Sequence, residues 1–160
     1  MLVGCATPKT VDYLSIGNRI QFEQLSNQFD EPFSKPGEMR VVVYASSMDA
    51  KDNLQAALSN IPKQCFDEGR LVYVANVSGM PGLITDMVAI PKMKEWAYPV
   101  WLDKTGEATA RLPVYADMVS VVEVEDGRLK NVSFIGATRT LQDMLSRLCS
   151  TDYASLGSAA

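Results

Sequence analysis

The chain predicts an α/β fold with a central mixed sheet flanked by helices, and three stretches carry that expectation. Met39–Ala45 and Leu71–Val77 are near-continuous β-branched runs with a helical pattern between them. Strand, helix and strand within about forty residues make a βαβ unit, whose strands run parallel and are buried on both faces. Met118–Val124 and Leu129–Ile135 flank Glu125-Asp126-Gly127-Arg128, a hairpin with an Asp-Gly turn. Thr140–Cys149 sets Leu141, Met144, Leu145 and Leu148 on one face of a closing helix.

The other elements follow in order. Ile20–Leu25 alternates apolar and polar residues, and Phe29–Phe33 forms a second short strand after a turn at Ser26-Asn27. Together they predict an N-terminal β-hairpin. Asp49–Ile61 has Leu54, Ala57, Leu58 and Ile61 at helical spacing, Asp49 as N-cap and Pro62 as its limit. Pro81–Ile90 predicts a second helix with Leu83, Ile84, Met87 and Val88 inward, bounded by Pro91. Tyr98–Leu102 is a third strand, and its Pro99 points to a sheet edge. Asp103–Gly106 is a turn, and Glu107–Leu112 one or two helical turns cut short by Pro113. Thr140 and Asp143 are spaced like a capping box, with Asp in place of Glu.

Composition excludes several chemistries. The 160 residues suit one domain, 47% of them are hydrophobic, and the net charge is −4. That balance lacks the basic face of a nucleic-acid binder. There is no histidine, so Ser-His-Asp and Cys-His nucleophilic sites and His-ligated zinc or haem are impossible. The three cysteines stand at Cys5, Cys65 and Cys149, with no C-x-x-C. No apolar run reaches the roughly 18–20 residues that span a bilayer.

Leu2-Val3-Gly4-Cys5 resembles the bacterial lipobox, without the charged region and most of the apolar region of a full signal peptide. The match predicts acylation of Cys5, residues 1–19 as lipobox and tether, a domain over 20–149 and a flexible tail over 150–160. A lipid anchor of several acyl chains on one residue holds a protein at a membrane, and here implies a periplasmic location. The alternative is a free or buried cysteine in an arm.

Residues across about 20–148 also resemble the thioredoxin-like superfamily. Val43-Tyr44-Ala45-Ser46-Ser47-Met48-Asp49-Ala50-Lys51 is similar to its strand-to-active-helix segment, and Tyr98–Gly106 to the Tyr-Pro-Val-Leu-Leu-Asp-x-x-Gly stretch of the periplasmic TlpA-like branch. Val121–Arg128 resembles the hairpin beyond that branch's cis-proline, and Tyr73–Pro81 resembles a proteobacterial group in which the catalytic cysteines are lost. The resemblance places the two cysteines on Met48 and Lys51, the tryptophan on Ser47 and the cis-proline on Met118. Thiol-disulfide exchange needs a thiolate, which neither Met48 nor Lys51 supplies, so no such activity is expected. In the implied topology the first helix and the last run along the same face toward one pole. Cys65 and Cys149 then arrive together, as a disulfide in an oxidising compartment or as two separate small hydrophobes.

The implied topology also gathers Ser46, Ser47, Met48 and Asp49, Ser78, Gly79, Met80 and Pro81, and Asp117 and Met118 at the carboxyl end of the parallel strands, where ligands of α/β sheets bind. Met48, Met80 and Met118 are soft donors suited to Cu(I), and periplasmic copper carriers use this fold. The plainer reading is that methionine fills space left by the family's cysteines and proline. Lys51 beside Ser46 and Ser47 invites a nucleophile reading, against which stand helix capping and a solvated lysine. Ser78–Gly82 could receive an anion at a helix start, but Pro81 at the first helical position accounts for it. Trp96, Tyr98 and Trp101 are read as core rather than as a partner patch.

The sequence thus predicts a redox-inactive, lipid-anchored binding or structural module. Its partner would be a protein of the cell envelope, and no cofactor, nucleic acid or catalytic residue is expected. The rival is a Cu(I) metallochaperone or enzyme at the methionine-lined end. A flavin-dependent oxidoreductase stands behind both, since no dinucleotide fingerprint is present.

Overall fold

Five consecutive residues, Val41–Ala45, form strand β2 and are buried at every position. The computed structural model describes residues 11–150, so Cys5 and the tail residues 151–160 lie outside the described residues. β2 runs parallel to β3 (Leu71–Asn76), which runs parallel to β4 (Trp101–Asp103). On its other side β2 pairs antiparallel with β5 (Val119–Glu125), and β5 with β6 (Arg128–Ile135). A two-residue strand β1 (Ser26–Asn27) pairs antiparallel with β4, giving the order β1-β4-β3-β2-β5-β6. The mixed sheet and the parallel βαβ unit are as the sequence predicts.

Alternation along the strands feeds two cores. Val41, Val43, Leu71 and Tyr73 face α1 (Met48–Leu58), α2 (Lys63–Asp67) and α5 (Thr138–Cys149). Val42, Tyr44, Val72, Val122 and Val124 face Ile20, Phe22, Leu25, Phe33, Met39 and Leu112. Irregular chain therefore closes the second face.

The expected N-terminal hairpin is smaller and its turn lies elsewhere. The Asn27 side chain accepts from the N–H groups of Phe29 (2.9 Å) and Glu31 (3.1 Å), Asp30 takes φ 61°, and Ser26 bridges Pro32. The turn is thus at 27–31. Ile20–Leu25 forms no strand, because Leu25 N–H turns back to the Phe22 carbonyl, yet its alternation still buries Ile20, Phe22 and Leu25. Gln28, 1% exposed, then ties this turn to the third strand: its Oε1 accepts from Val100 N–H at 2.7 Å, and its Nε2 donates to the carbonyls of Tyr98 (2.9 Å) and Met93 (3.2 Å). β4 is accordingly not a bare edge. Leu14–Arg19, expected in the tether, also lie on the domain, with Leu14 N–H on the Arg111 carbonyl and Gly17 N–H on that of Leu129.

The segment after β3 departs most from expectation. It is helical from Gly82 to Met93 in three pieces, α3 (Gly82–Ile84), a wide π turn (Thr85–Ala89) and α4 (Ile90–Met93). Pro91 lies inside it. Proline has no N–H for the Met87 carbonyl and its ring crowds that turn, so the ladder slips to i→i+5 bonds such as Ile90 N–H to Thr85 O. Thr85 and Met93 are the residues buried here. Leu83 (69%), Ile84 (46%), Met87 (68%) and Val88 (57%) are exposed, not inward.

Three smaller corrections concern helix ends. Ser47, not Asp49, caps α1, accepting from Ala50 N–H at 3.2 Å. α5 starts two residues early behind Ala137, so Thr140 and Asp143 form no capping box. Glu107–Leu112 makes turns rather than helix, because Asp103 draws in the N–H groups of Gly106 (2.9 Å) and Thr109 (2.8 Å).

Cys65 in α2 and Cys149 at the end of α5 form a disulfide, with Cα atoms 5.8 Å apart and 84 residues of sequence separation. Arg70 reinforces the junction, pairing with Glu68 and donating to the Cys149 carbonyl at 3.1 Å. Closing so long a loop contributes roughly 4–5 kcal/mol in the chain-entropy picture. Replacing both cysteines by alanine is expected to lower unfolding stability by about 4 kcal/mol, read from urea denaturation at matched pH.

Candidate functional site

The register brings the expected loops to one end of the sheet. Ala45 lies opposite Val119, and Val119 opposite Ile135, so Ser46–Met48, Asp117–Met118 and Gly136 adjoin. Asn76 lies opposite Asp103 in the neighbouring pair, which sets Ser78–Met80 beside Asp103–Gly106. Val77 N–H donates to the Asp103 carbonyl at 3.0 Å, and Ser78 N–H to the Asn76 side chain at 2.9 Å. Gly106 has φ +82°, and a Cβ there would stand 2.9 Å from Ser78 Oγ, so only glycine fits this approach.

Ser47 accepts from Ala50 N–H as helix cap, and no hydrogen bond among the described residues joins the Lys51 amine to the hydroxyl of Ser46 or Ser47, as the nucleophile reading would need. Ser46, Asp49, Ser78, Gly79 and Asp117 are exposed, Lys51 is half-buried, and Asp117 takes φ 59°. The three methionines differ in setting. Met48 is 70% exposed and Met80 39%, while Met118 is half-buried, and a Cβ on Gly136 would touch its side chain at 3.8 Å. Among the described residues no group of three or more His, Cys, Asp or Glu could hold a metal ion, and no helix is long and apolar enough to cross a membrane.

Sequence reasoning missed the exposed side chains of Leu83, Ile84, Met87 and Val88, which follow directly on Met80. The signal that could have found them is Pro91, four residues after Met87, together with the small-residue row Thr85 and Ala89 leading to Met93. Together with Met80 they put five exposed apolar side chains into one short segment beside the loops.

The aromatic residues lie toward the other pole. Tyr98 stacks on Phe66 (5.2 Å between ring centres) and meets Trp96 and Tyr73, while Trp101 faces the opposite core against Phe33. Phe33, Phe66, Tyr98 and Trp101, with Lys35 and Lys63, line a cleft of about 380 Å³ there. Burial pushes the Tyr73 phenol up to about 12, with a weaker opposing pull from the Gln55 side chain. Burial raises Tyr98 as well, reinforced by Tyr73.

No family model matches the chain, and no curated protein matches it. Solved structures do. The chain is similar to the "putative protein disulfide isomerase" from Bacteroides thetaiotaomicron, with 11% identity, TM-score 0.57, 88% of this chain and 94% of that one covered. It is also similar to the Xanthomonas campestris bacterioferritin comigratory protein, with 10% identity, TM-score 0.53 and coverage of 85% and 95%. Peroxiredoxin Q from Xanthomonas campestris gives 12% identity, TM-score 0.51 and coverage of 94% and 100%. These likenesses and the mixed six-stranded sheet give the chain a thioredoxin-like fold.

Two outcomes follow from the local chemistry. Ser47→Ala removes the α1 cap and is expected to cost about 1 kcal/mol of stability, read by urea denaturation. The Tyr73 phenol ionises near 10 in the unfolded chain and about 12 in the native one, so above pH 10 the unfolded state binds fewer protons. Stability is therefore full below pH 10 and falls as pH rises toward 12, by about 2–3 kcal/mol for this group. Tyr73→Phe is expected to flatten that decline in urea midpoints measured across the range.

Proposed function

We propose that this thioredoxin-fold chain is a redox-inactive lipoprotein of the periplasm, held at a membrane through acyl chains on Cys5. It binds a protein of the cell envelope through the carboxyl end of its sheet. The observation that carries the reading is the exposed apolar strip Met80, Leu83, Ile84, Met87 and Val88. An apolar surface of this kind is retained where a partner covers it, and methionine side chains adapt to irregular partner surfaces.

The inactive half of the reading rests on where sulfur is. Exchange requires a thiolate that can attack a disulfide. Met48 and Lys51 stand at the start of α1, where the sequence resemblance sets the family's cysteine pair. Cys65 and Cys149 are bonded to each other at the far end of the parallel strands and are buried. The TlpA-like affinity and the loss of catalytic cysteines belong to the same proposal.

Three measurements test it. Insulin reduction by dithiothreitol is expected to run no faster with the protein than with its Cys65→Ala, Cys149→Ala variant, and turnover above that control overturns the inactive reading. Mass spectrometry of protein from native membranes is expected to show acyl mass on an N-terminus beginning at Cys5; an intact Met1 on soluble native protein overturns the anchor. Crosslinking in native membranes is expected to yield one dominant protein adduct, lost when Leu83→Asp and Met87→Asp are combined. A stoichiometric Cu(I) complex abolished by Met48→Leu and Met80→Leu would instead establish the metallochaperone.

A further inference from the structure

β6 closes one side of the sheet, and only half of its outer edge is covered. Gly17 N–H donates to the Leu129 carbonyl at 2.8 Å, and Leu129 N–H to the Asn18 carbonyl at 2.9 Å. Beyond Lys130 no described residue pairs with this edge. Strand alternation identifies the backbone groups concerned. Val124 N–H donates to the Arg40 carbonyl, so Val124 faces β2, and Leu129 opposite it faces outward. The register shifts by one residue between the pairs Glu123↔Asn131 and Val124↔Leu129, which leaves Lys130 as a bulge. Val132 and Phe134 are therefore the next outward-facing residues. No described residue hydrogen-bonds them on that side.

The side chains on this edge are apolar as well. Val132 packs beside the second core, and the Phe134 ring lies 5.8 Å from that of Tyr115, itself exposed with Val114. The opposite edge is treated differently: β1 is two residues long and Pro32 bridges Ser26 beside it, and a short strand flanked by proline discourages pairing.

We infer that this chain self-associates through β6, by antiparallel pairing of Asn131–Ile135 with the same residues of a second copy about a two-fold axis at Ser133. The strand is complementary to itself in that register. Val132 of each copy lies opposite Phe134 of the other, both with outward backbone groups, which gives four inter-strand hydrogen bonds. Each such pair also sets an aromatic ring against a β-branched side chain on one face, a favourable cross-strand combination. Lys130 falls opposite Gly136, so no like charges meet. The covering segment at Gly17-Asn18 on one side and the turn into α5 on the other stop the pairing at these ends. With five paired residues a side, the contact is smaller than a standard interface, and the dimer is weak and concentration-dependent.

Sedimentation of the 160-residue chain tests this from about 10 μM to about 1 mM. The mass average is expected to rise from 17.5 kDa toward twice that value. Ser133→Glu and Ser133→Lys each place like charges on the axis, and each alone is expected to remain monomeric with a circular dichroism spectrum like that of the unaltered chain. Mixed in equal amounts they are expected to associate, because opposite charges then meet. Val132→Pro removes an N–H whose only acceptor is the second copy, and is also expected to be monomeric and folded. The inference is overturned if the unaltered chain stays monomeric at the highest concentration, if Ser133→Glu leaves its dimer unchanged, or if the two charged variants do not associate when mixed.

Discussion

Val41–Ala45 has water on neither side, and this governs the architecture around it. A strand buried on both faces needs two covers, and the alternation of Val41 and Val43 with Val42 and Tyr44 assigns a separate core to each. The first cover comes from helices. Leu54 and Leu58 of α1 and Leu141 and Leu145 of α5 pack on the same face, and Asn53 links the two helices by accepting from the Thr138 hydroxyl while donating to the Gly136 carbonyl. The second cover is built from chain without regular structure, in which Ile20, Phe22, Leu25 and Phe33 serve the sheet as a helix face would.

Irregular chain can take that role only if its polar backbone is satisfied. Gln28 does so at the critical place, replacing three backbone partners between the N-terminal turn and the segment before β4. Pro99 cannot donate there, so a side-chain amide is the device that closes the third strand against the turn. The disulfide and Arg70 hold the same pole from the other face. Fastening concentrates at the amino ends of the parallel strands, and the carboxyl ends carry short loops with exposed Ser46, Met48, Ser78 and Met80.

The helical segment after β3 shows how one residue redirects a face. With a regular ladder, Leu83, Ile84 and Met87 would be natural core residues. Pro91 forces the wide turn over Thr85–Ala89, and the packed row becomes Thr85, Ala89 and Met93. The apolar residues remain, turned to solvent beside Met80.

Much of the fold was legible in the sequence because it rests on short-range rules. β-branched runs fixed β2 and β3, and Asp126 and Gly127, both at positive φ, formed the two-residue turn that their identities demand. The Leu141, Leu145 and Leu148 spacing fixed the buried face of α5. The candidate site was legible only as a set of loops. Ser47 rather than Asp49 caps α1, and the strip at Leu83–Val88 is exposed rather than buried because Pro91 breaks the regular ladder that the apolar spacing assumes. Tertiary structure alone decided where Gln28 finds its three partners about 65–72 residues away, and which half of the β6 edge stays open. Each of these depends on groups far apart in the chain, whose meeting no local propensity encodes.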